Sequence, residues 1–239
     1  RSWGGNIHTH CAETAIEVEM SLTERGLRHV PWLDSLGVLG PDVQLAHSVW
    51  LEEAEVEMVA ERGASVIHCP VSNMYLASGI APIRSMLDRG VNVALATDGP
   101  GSNNRQDMFE ACKVAALLQK VNQLDATVLQ PEEVLVMACR GGAKLLGRAD
   151  DLGAIEAGRR ADLVVVDLQS PFTAPVNRVS SALVYNATPR DVIHVLVDGR
   201  FLVRDRSLTT VDERAVIANA RKAAQRVLSA TGLGSRLLQ

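Results

Sequence analysis

Four polar residues that can bind a metal ion or move protons each follow an apolar stretch of the chain. His10, His47, His68 and Asp98 lie at the ends of four predicted strands. The segments between them are long enough for one helical crossover each, so consecutive parallel strands would bring all four to the same edge of a sheet. Imidazoles together with a carboxylate suit a divalent transition metal. The spacing therefore predicts a metal site at this edge.

Each of these residues also has a purely structural interpretation. A single buried histidine is more often a hydrogen-bonded part of the core than a ligand, and Asp98 is also suited to capping the turn in TDG. Placement at four successive strand ends favours function, because packing alone has no reason to repeat it. Glu13 either serves the site or caps the following helix. His8 shares a strand face with His10 and is either a second ligand or part of the barrel interior.

The elements that must position these residues alternate between strand and helix up to about residue 146. The strands GGNIHTH, DVQLAHS, ASVIHCP and VNVALATDG contain nearly continuous apolar runs, as expected when helices cover a parallel sheet. Segments such as TAIEVEMSLTERG and EEAEVEMVAERG read as helices that stop at glycine. The stretch between His68 and Pro82 is predicted as a loop. This order of elements predicts an α/β fold.

The composition changes near Gly147. GAIEAGRRADLVVVDL and DVIHVLVDGRFLVRD are rich in β-branched residues with Gly and Asp turns, which predicts a small β-module. DERAVIANARKAAQRVLSA predicts an amphipathic helix at the end of the chain.

Composition and charge exclude several classes of function. The chain has 239 residues, of which 47% are apolar and 22% charged, and a net charge of −4. That charge gives no electrostatic reason to bind nucleic acid or an anionic membrane, and no apolar run approaches the roughly 20 residues of a membrane helix. The four scattered cysteines lack CxxC pairing and a neighbouring base, so they are predicted to be reduced thiols in the cytoplasm rather than disulfides or nucleophiles.

Five motifs occur in a fixed order and together span nearly the whole chain. They are HTHCAET, LAHSVWL, HCPVSNMYLASGIAPI, ATDGPGSNN and GAIEAGRRADLVVVD. This series resembles the amidohydrolase superfamily, in particular its aminohydrolases and chlorohydrolases that act on N-heterocycles. That branch includes S-adenosylhomocysteine, methylthioadenosine, guanine, 8-oxoguanine and pterin deaminases and triazine hydrolases. Any one motif is a weak signal, whereas five in order are a strong one.

The resemblance implies a specific fold. The family carries an HxH pair on its first barrel strand, but the CAET that follows HTH here matches the segment after strand five. Residues 1–146 are thus expected to be the second half, strands 5–8, of a (β/α)8 TIM-type barrel. Residues 147–206 would be part of a small β-sandwich module, and residues 207–239 a C-terminal helix packing on the barrel. The chain would then be the C-terminal portion of a longer enzyme.

The resemblance also implies a site and a reaction. His10 and Asp98 would hold one divalent metal, zinc in the first place and iron as the alternative. Glu13 would carry protons, His47 would hydrogen-bond the attacking hydroxide, and Asp98 would double as a proton acceptor. Metal-bound hydroxide would attack a ring carbon of an aminated purine, pterin or triazine and release ammonia.

The expected substrate contacts are Trp50, Asn73, Met74 and Tyr75, which could meet a flat ring. For Trp50 and Met74, ordinary core packing is an open alternative. The expected partner is a small heterocyclic molecule, not nucleic acid or a membrane, and the full-length enzyme is expected to form a homo-oligomer.

The sequence also allows three other interpretations. A triazine-like ring could lose chloride instead of ammonia at the same metal site. The chain could be an inactive fragment that lacks the strand-one ligands and packs against a partner chain that supplies the other half-barrel. It could also be a metal-free α/β binding protein whose strand-end histidines contact a ligand directly.

Overall fold

The structure is a computed structural model that describes residues 4–232. It divides into two compact units. The first contains the chain up to Arg160 together with Asp167–Asp191, and the second contains Ala161–Val166 together with the chain from Val192 onwards.

The first unit is built on a parallel sheet of four strands. These are β1 (Ile7–Cys11), β2 (Val43–His47), β3 (Ser65–His68) and β4 (Asn92–Leu95). They lie in the order β1-β2-β3-β4, so within residues 4–232 β1 and β4 are the edge strands. Every neighbouring pair is parallel, and the register places Cys11 beside His47. The predicted α/β class is confirmed, and the carboxyl ends of the strands share one edge.

Helices connect and follow these strands. They are α1 (Ala15–Arg25), α2 (His29–Ser35), α3 (Glu53–Arg62), α4 (Pro70–Tyr75), α5 (Ile83–Asp88), α6 (Pro100–Asn103), α7 (Met108–Gln123), α8 (Pro131–Val136), α9 (Gly142–Leu145) and α10 (Val179–Tyr185). A π-helical turn, Met137–Gly141, joins α8 to α9, and a 3-10 turn, Pro189–Asp191, follows α10.

Local sequence signals explain where these helices begin and end. The Thr14 side chain accepts a hydrogen bond from the Glu17 N–H at the start of α1, and Gly26 ends that helix with φ +70°. A capping box formed by Glu52 and Glu55 opens α3. The beginnings and ends of these helices are therefore determined by nearby residues that can be recognised in the sequence.

Apolar side chains of the strands and the flanking helices form the core of this unit. Its fully buried members include Val43, Leu45, Val56, Val59, Val66, Ile83 and Met86. The rigid sheet that results fixes the positions of the strand ends, on which the polar residues lie.

The π-helical turn lies directly against the backbone of β4. A Cβ atom on Gly141 would be only 2.4 Å from the carbonyl oxygen of Val93, which explains why a glycine stands there. Main-chain carbonyls of this region also accept hydrogen bonds from the strands. Asn92 Nδ2 donates to Gly141 O over 3.2 Å, and Gln44 Nε2 donates to Leu145 O over 2.9 Å.

The second unit is an antiparallel sheet followed by a helix. Its strands are β5 (Leu163–Val166), β6 (Val192–Val197), β7 (Arg200–Arg204) and β8 (Ser207–Leu208), and its helix is α11 (Glu213–Thr231). Asp198 and Gly199, both with positive φ, form the two-residue turn between β6 and β7. The predicted terminal helix continued to residue 239, but residues 233–239 lie outside the described residues.

One sequence prediction about this fold was wrong. The stretch after β3 was predicted as a loop, but it forms α4, with Pro70 at the first helical position. Its six residues are too few to show helical periodicity, and Ser72 and Asn73 turn polar side chains into the interior. Among the described helices, none is long and apolar enough to cross a membrane.

Candidate metal centre and active site

The sheet brings the predicted strand-end residues to one edge. His47 and His68 are the last residues of β2 and β3, and His10 precedes the last residue of β1. Asp98 lies slightly further along, in the loop after β4. The backbone therefore brings these four residues to the same edge of the sheet, as their spacing predicted.

A cluster of possible metal ligands lies at this edge. One ligand atom from each of His10, Glu13 and His47 lies within 4.8 Å of the other two. The His10 and His47 rings stack with centroids 5.1 Å apart and an angle of 21° between their planes. Glu13 Oε2 lies 3.7 Å from His47 Nε2. Two imidazoles and a carboxylate, with His10 exposed at the surface, fit a divalent ion such as zinc.

Asp98 is held in its charged form. Ser72 and Ser102 both donate their hydroxyls to Oδ2, over 2.7 and 2.6 Å, and the Gly99 N–H donates to Oδ1 over 2.7 Å. Burial alone would raise the pKa of Asp98, but these three hydrogen bonds and the nearby His47 outweigh it and lower that pKa. Asp98 therefore offers a fixed negative charge beside His47.

His47 is almost entirely buried and has a single fixed orientation. Its Nδ1 atom lies 2.9 Å from Oδ1 of Asn73, which leaves Nε2 facing Glu13. Its backbone φ is +66°, and Asp98 also has a positive φ, +62°. Such left-handed conformations are uncommon for residues other than glycine and occur often at functional sites.

Glu13 and Trp50 are both linked to Ser78, in the turn after α4. The Ser78 hydroxyl donates to Glu13 Oε1 over 3.4 Å, and the Ser78 carbonyl accepts from Trp50 Nε1 over 2.7 Å. Gly79, with φ +127°, packs so closely that an added Cβ would lie 2.9 Å from Val49. This turn therefore fixes the carboxylate and the indole together.

His68 and Cys69 are buried behind the cluster. Neither ring nitrogen of His68 has a hydrogen-bond partner among the described residues. Burial, and secondly the charge of His47, lower the pKa of His68 to about 3, so it is neutral at physiological pH. Burial and the carboxylates of Asp98 and Glu13 raise the pKa of Cys69 to about 12, which makes this thiol a poor nucleophile.

All four cysteines are free thiols, as the sequence predicted. Three of them are buried, and Cys139 is exposed.

The predicted substrate contacts fall into two groups. Trp50, Met74 and Tyr75 are 45%, 54% and 58% exposed, so the alternative that Trp50 and Met74 belong to the core is wrong. The Tyr75 hydroxyl accepts a hydrogen bond from Asn104 Nδ2, which links α4 to the end of α6. Asn73, by contrast, is fully buried against His47. Substrate contact by the three exposed side chains stays a prediction.

Sequence reasoning missed the hydroxyl groups that orient the site. Ser72, Ser78 and Ser102 all donate to the carboxylates of Asp98 or Glu13. The only available signal was their position in VSNMYLAS and PGSNN, directly after two predicted strands. Serines are too common in such segments for that position to single them out.

The chain is similar in sequence to a family of known proteins. The model of the amidohydrolase family matches residues 1–202. The chain is 44% identical over 227 residues to a protein of Methanopyrus kandleri named 5'-deoxyadenosine deaminase, which covers 95% of this chain and 52% of that protein.

Two solved structures are also similar to this chain. A zinc-bound adenosine deaminase from Xanthomonas campestris aligns with a TM-score of 0.92 and 42% identity, over 94% of this chain and 51% of its own. An atrazine chlorohydrolase from Arthrobacter aurescens, complexed with zinc, aligns with a TM-score of 0.87 and 29% identity, over 92% of this chain and 49% of its own. The chain spans about half the length of the relatives that it matches.

Proposed function

The chain belongs to the amidohydrolase family, and from this premise we propose that it carries the active-site residues of a metal-dependent hydrolase that removes an amino group from an N-heterocycle as ammonia. The observation that carries this proposal is the cluster of His10, Glu13 and His47 at the carboxyl edge of a parallel sheet. The charged Asp98 beside His47 adds a second carboxylate to the same edge.

In this proposal the four parallel strands are strands five to eight of a (β/α)8 barrel. Their order and parallel direction support it, as does the alignment with half of a zinc-bound adenosine deaminase. The other half-barrel would supply the HxH pair of strand one. The small β-sandwich module and the C-terminal helix would complete the enzyme.

His10 and Asp98 would hold the metal together with that HxH pair. Glu13 and His47, whose ligand atoms lie close to that of His10, would contact the attacking water rather than the ion. Zinc is the ion we favour, because both the adenosine deaminase and the chlorohydrolase structures contain it. A divalent ion bound there supplies a water that is nucleophilic near neutral pH.

The residues of this chain then move the protons. Glu13 Oε2 would accept one proton from the attacking water and deliver it to the ring nitrogen. The hydroxyl group then left on the ring carbon would give its proton to Glu13, which would pass this second proton to the departing amino group. His47 Nε2, which faces Glu13 at 3.7 Å, hydrogen-bonds the water during attack. Water and the C–NH2 group are consumed, and a ring carbonyl and ammonia are formed.

An adenine-type nucleoside is the substrate class that we favour. The relative from Methanopyrus kandleri is named for 5'-deoxyadenosine, and the structure from Xanthomonas campestris is titled an adenosine deaminase. Trp50, Met74 and Tyr75 offer exposed apolar surface on which a flat ring could stack. The free thiols favour a cytoplasmic enzyme, and a homo-oligomer stays a prediction.

The test is an assay of the complete protein, loaded with zinc, against 5'-deoxyadenosine, adenosine, S-adenosylhomocysteine, guanine and atrazine. We expect ammonia release from the adenine compounds, loss of activity with a chelator, and recovery with zinc. Chloride release from atrazine without ammonia from any purine would favour the dechlorinase. No product from any of these compounds would count against the proposal.

A further inference from the structure

We propose that Asn73 is a positioning residue that fixes the tautomer of His47, and not a substrate contact. The inference rests on the proposed function, in which Nε2 of His47 works on the attacking water. It concerns which ring nitrogen carries the proton before any water or substrate arrives.

The contact between the two side chains is short and isolated from solvent. His47 Nδ1 and Asn73 Oδ1 are 2.9 Å apart, and the two residues are 1% and 0% exposed. A buried side chain with no open side cannot meet a substrate ring. The position of Asn73 is fixed by α4, since its own N–H donates to Cys69 O and its carbonyl accepts from the Ser78 N–H.

This geometry selects one form of the neutral imidazole. An amide oxygen can only accept a hydrogen bond, so Nδ1 must carry the proton and donate it. The lone pair of the ring is then on Nε2, the nitrogen that lies 3.7 Å from Glu13. His47 is thereby held ready to accept a hydrogen bond from water at the place where His10 and Glu13 also meet.

The nitrogen atom of the Asn73 amide also supports a functional role for this residue. Asn73 Nδ2 is buried and has no hydrogen-bond partner among the described residues. Burying an unpaired N–H group destabilises the fold, and a leucine of similar size would avoid that penalty. An asparagine at this position therefore provides the acceptor Oδ1, although it makes the fold less stable than a leucine would.

The first measurement needs neither substrate nor activity. We would record the 15N shifts of the histidine ring nitrogens in the complete, zinc-free protein and assign His47 by the signals lost in His47→Gln. We expect a proton on Nδ1 in the wild type and in Asn73→Asp, which keeps an acceptor, and a shift of the proton toward Nε2 in Asn73→Leu. Because no turnover is involved, this result is independent of whether the proposed reaction is correct.

The second measurement is steady-state kinetics of the zinc-loaded protein. Loss of a partner that orients a residue beside a metal typically lowers activity 10- to 100-fold. We expect kcat of Asn73→Leu to fall by about that factor while KM changes little, and Asn73→Asp to retain more of kcat. The control is Gln119→Met, which removes a fully buried amide that donates to Ala81 O, away from the proposed site. It should leave kcat and the tautomer unchanged.

Several results would overturn the inference. A proton on Nε2 of His47 in the wild type would do so even if no Asn73 variant folds. An unchanged tautomer and an unchanged kcat in Asn73→Leu would do so as well. An equal loss of kcat in Gln119→Met would show that any buried amide has the same effect.

Discussion

Glu13 is the single residue on which the proposed proton transfers depend. The Ser78 hydroxyl and the His47 ring contact its two carboxylate oxygens, so its orientation is fixed from both sides. Glutamine has the same size but cannot take up a proton. We therefore expect Glu13→Gln to lower kcat by about 10²- to 10⁴-fold while the protein keeps its metal. Metal content by mass spectrometry and kcat would be measured together.

His10→Ala is the matched comparison for Glu13→Gln. It removes a proposed ligand, so metal and activity should disappear together. If Glu13→Gln also lost the metal, or if it kept normal turnover, Glu13 would not be the proton carrier.

His68 should make stability depend on pH. Its pKa is lowered to about 3 by burial and by His47, so between pH 3 and its usual pKa near 6.5 the unfolded chain binds more protons than the folded one. Stability therefore falls as the pH is lowered through this range. Between pH 6.5 and pH 5 we expect the free energy of unfolding to drop by about 2 kcal/mol from this group alone.

Urea unfolding of the wild type and of His68→Gln at pH 7 and pH 5 would test this effect. Glutamine does not titrate, so the wild type should lose more stability than the variant when the pH is lowered. Equal losses in the two proteins would show that His68 is not buried in its neutral form.

The positions of single residues could be predicted from the sequence where a polar residue ends an apolar strand. His10, His47 and Asp98 stand out because each follows an apolar strand, and the parallel sheet brings strand ends together. Asn73 was expected to touch substrate, yet its side chain turns inward to His47. The direction of a side chain on a six-residue helix depends on tertiary packing, which a local pattern does not contain.

At the scale of elements, α4 and the turn after it organise the site. Ser72 reaches Asp98, Asn73 reaches His47, and Ser78 reaches Glu13, so one short segment contacts residues at or just after the ends of three different strands. This is the segment that was predicted to be a loop. Longer elements such as α1 and α3 carried capping residues and apolar periodicity, and they were predicted correctly.

The π-helical turn allows a test of close backbone packing with two adjacent glycines. A Cβ atom on Gly141 would meet backbone atoms of Val93 and Ala94, which cannot rotate away. We expect Gly141→Ala to destabilise the protein by about 1–3 kcal/mol. The Cβ of Gly142→Ala would meet nothing within 4 Å, and the helical φ of −62° suits alanine. That variant should be neutral or stabilising by up to about 1 kcal/mol.

The stabilities of both glycine variants and the wild type would be compared by thermal unfolding. Equal melting temperatures for Gly141→Ala and the wild type would mean that the turn does not lie as close to β4 as the structure shows.

At the scale of the whole molecule, the parallel sheet presents two strands that have one neighbour each within residues 4–232. Unpaired strand edges are sites of association. We expect residues 1–239, expressed alone, to associate in a concentration-dependent way, as measured by light scattering after gel filtration. Thr9→Lys, which adds a charge to β1, should reduce this association. A monodisperse monomer at all concentrations would count against the half-barrel proposal.

The site draws on residues that are far apart in the chain, and this has a consequence for synthesis. Asp98 is held by Ser72 and Ser102, whereas His10 lies near the end of β1, the first strand of the sheet. At about 5–20 residues per second, the ribosome makes Ser102 roughly 5–20 s after His10. Until then the Asp98 carboxylate lacks one of its two hydroxyl partners. A metal held by both His10 and Asp98, as proposed, would therefore be captured only after β4 and the loop that follows it have been made, and a nascent chain stalled earlier would leave its histidines open to any metal in the cell.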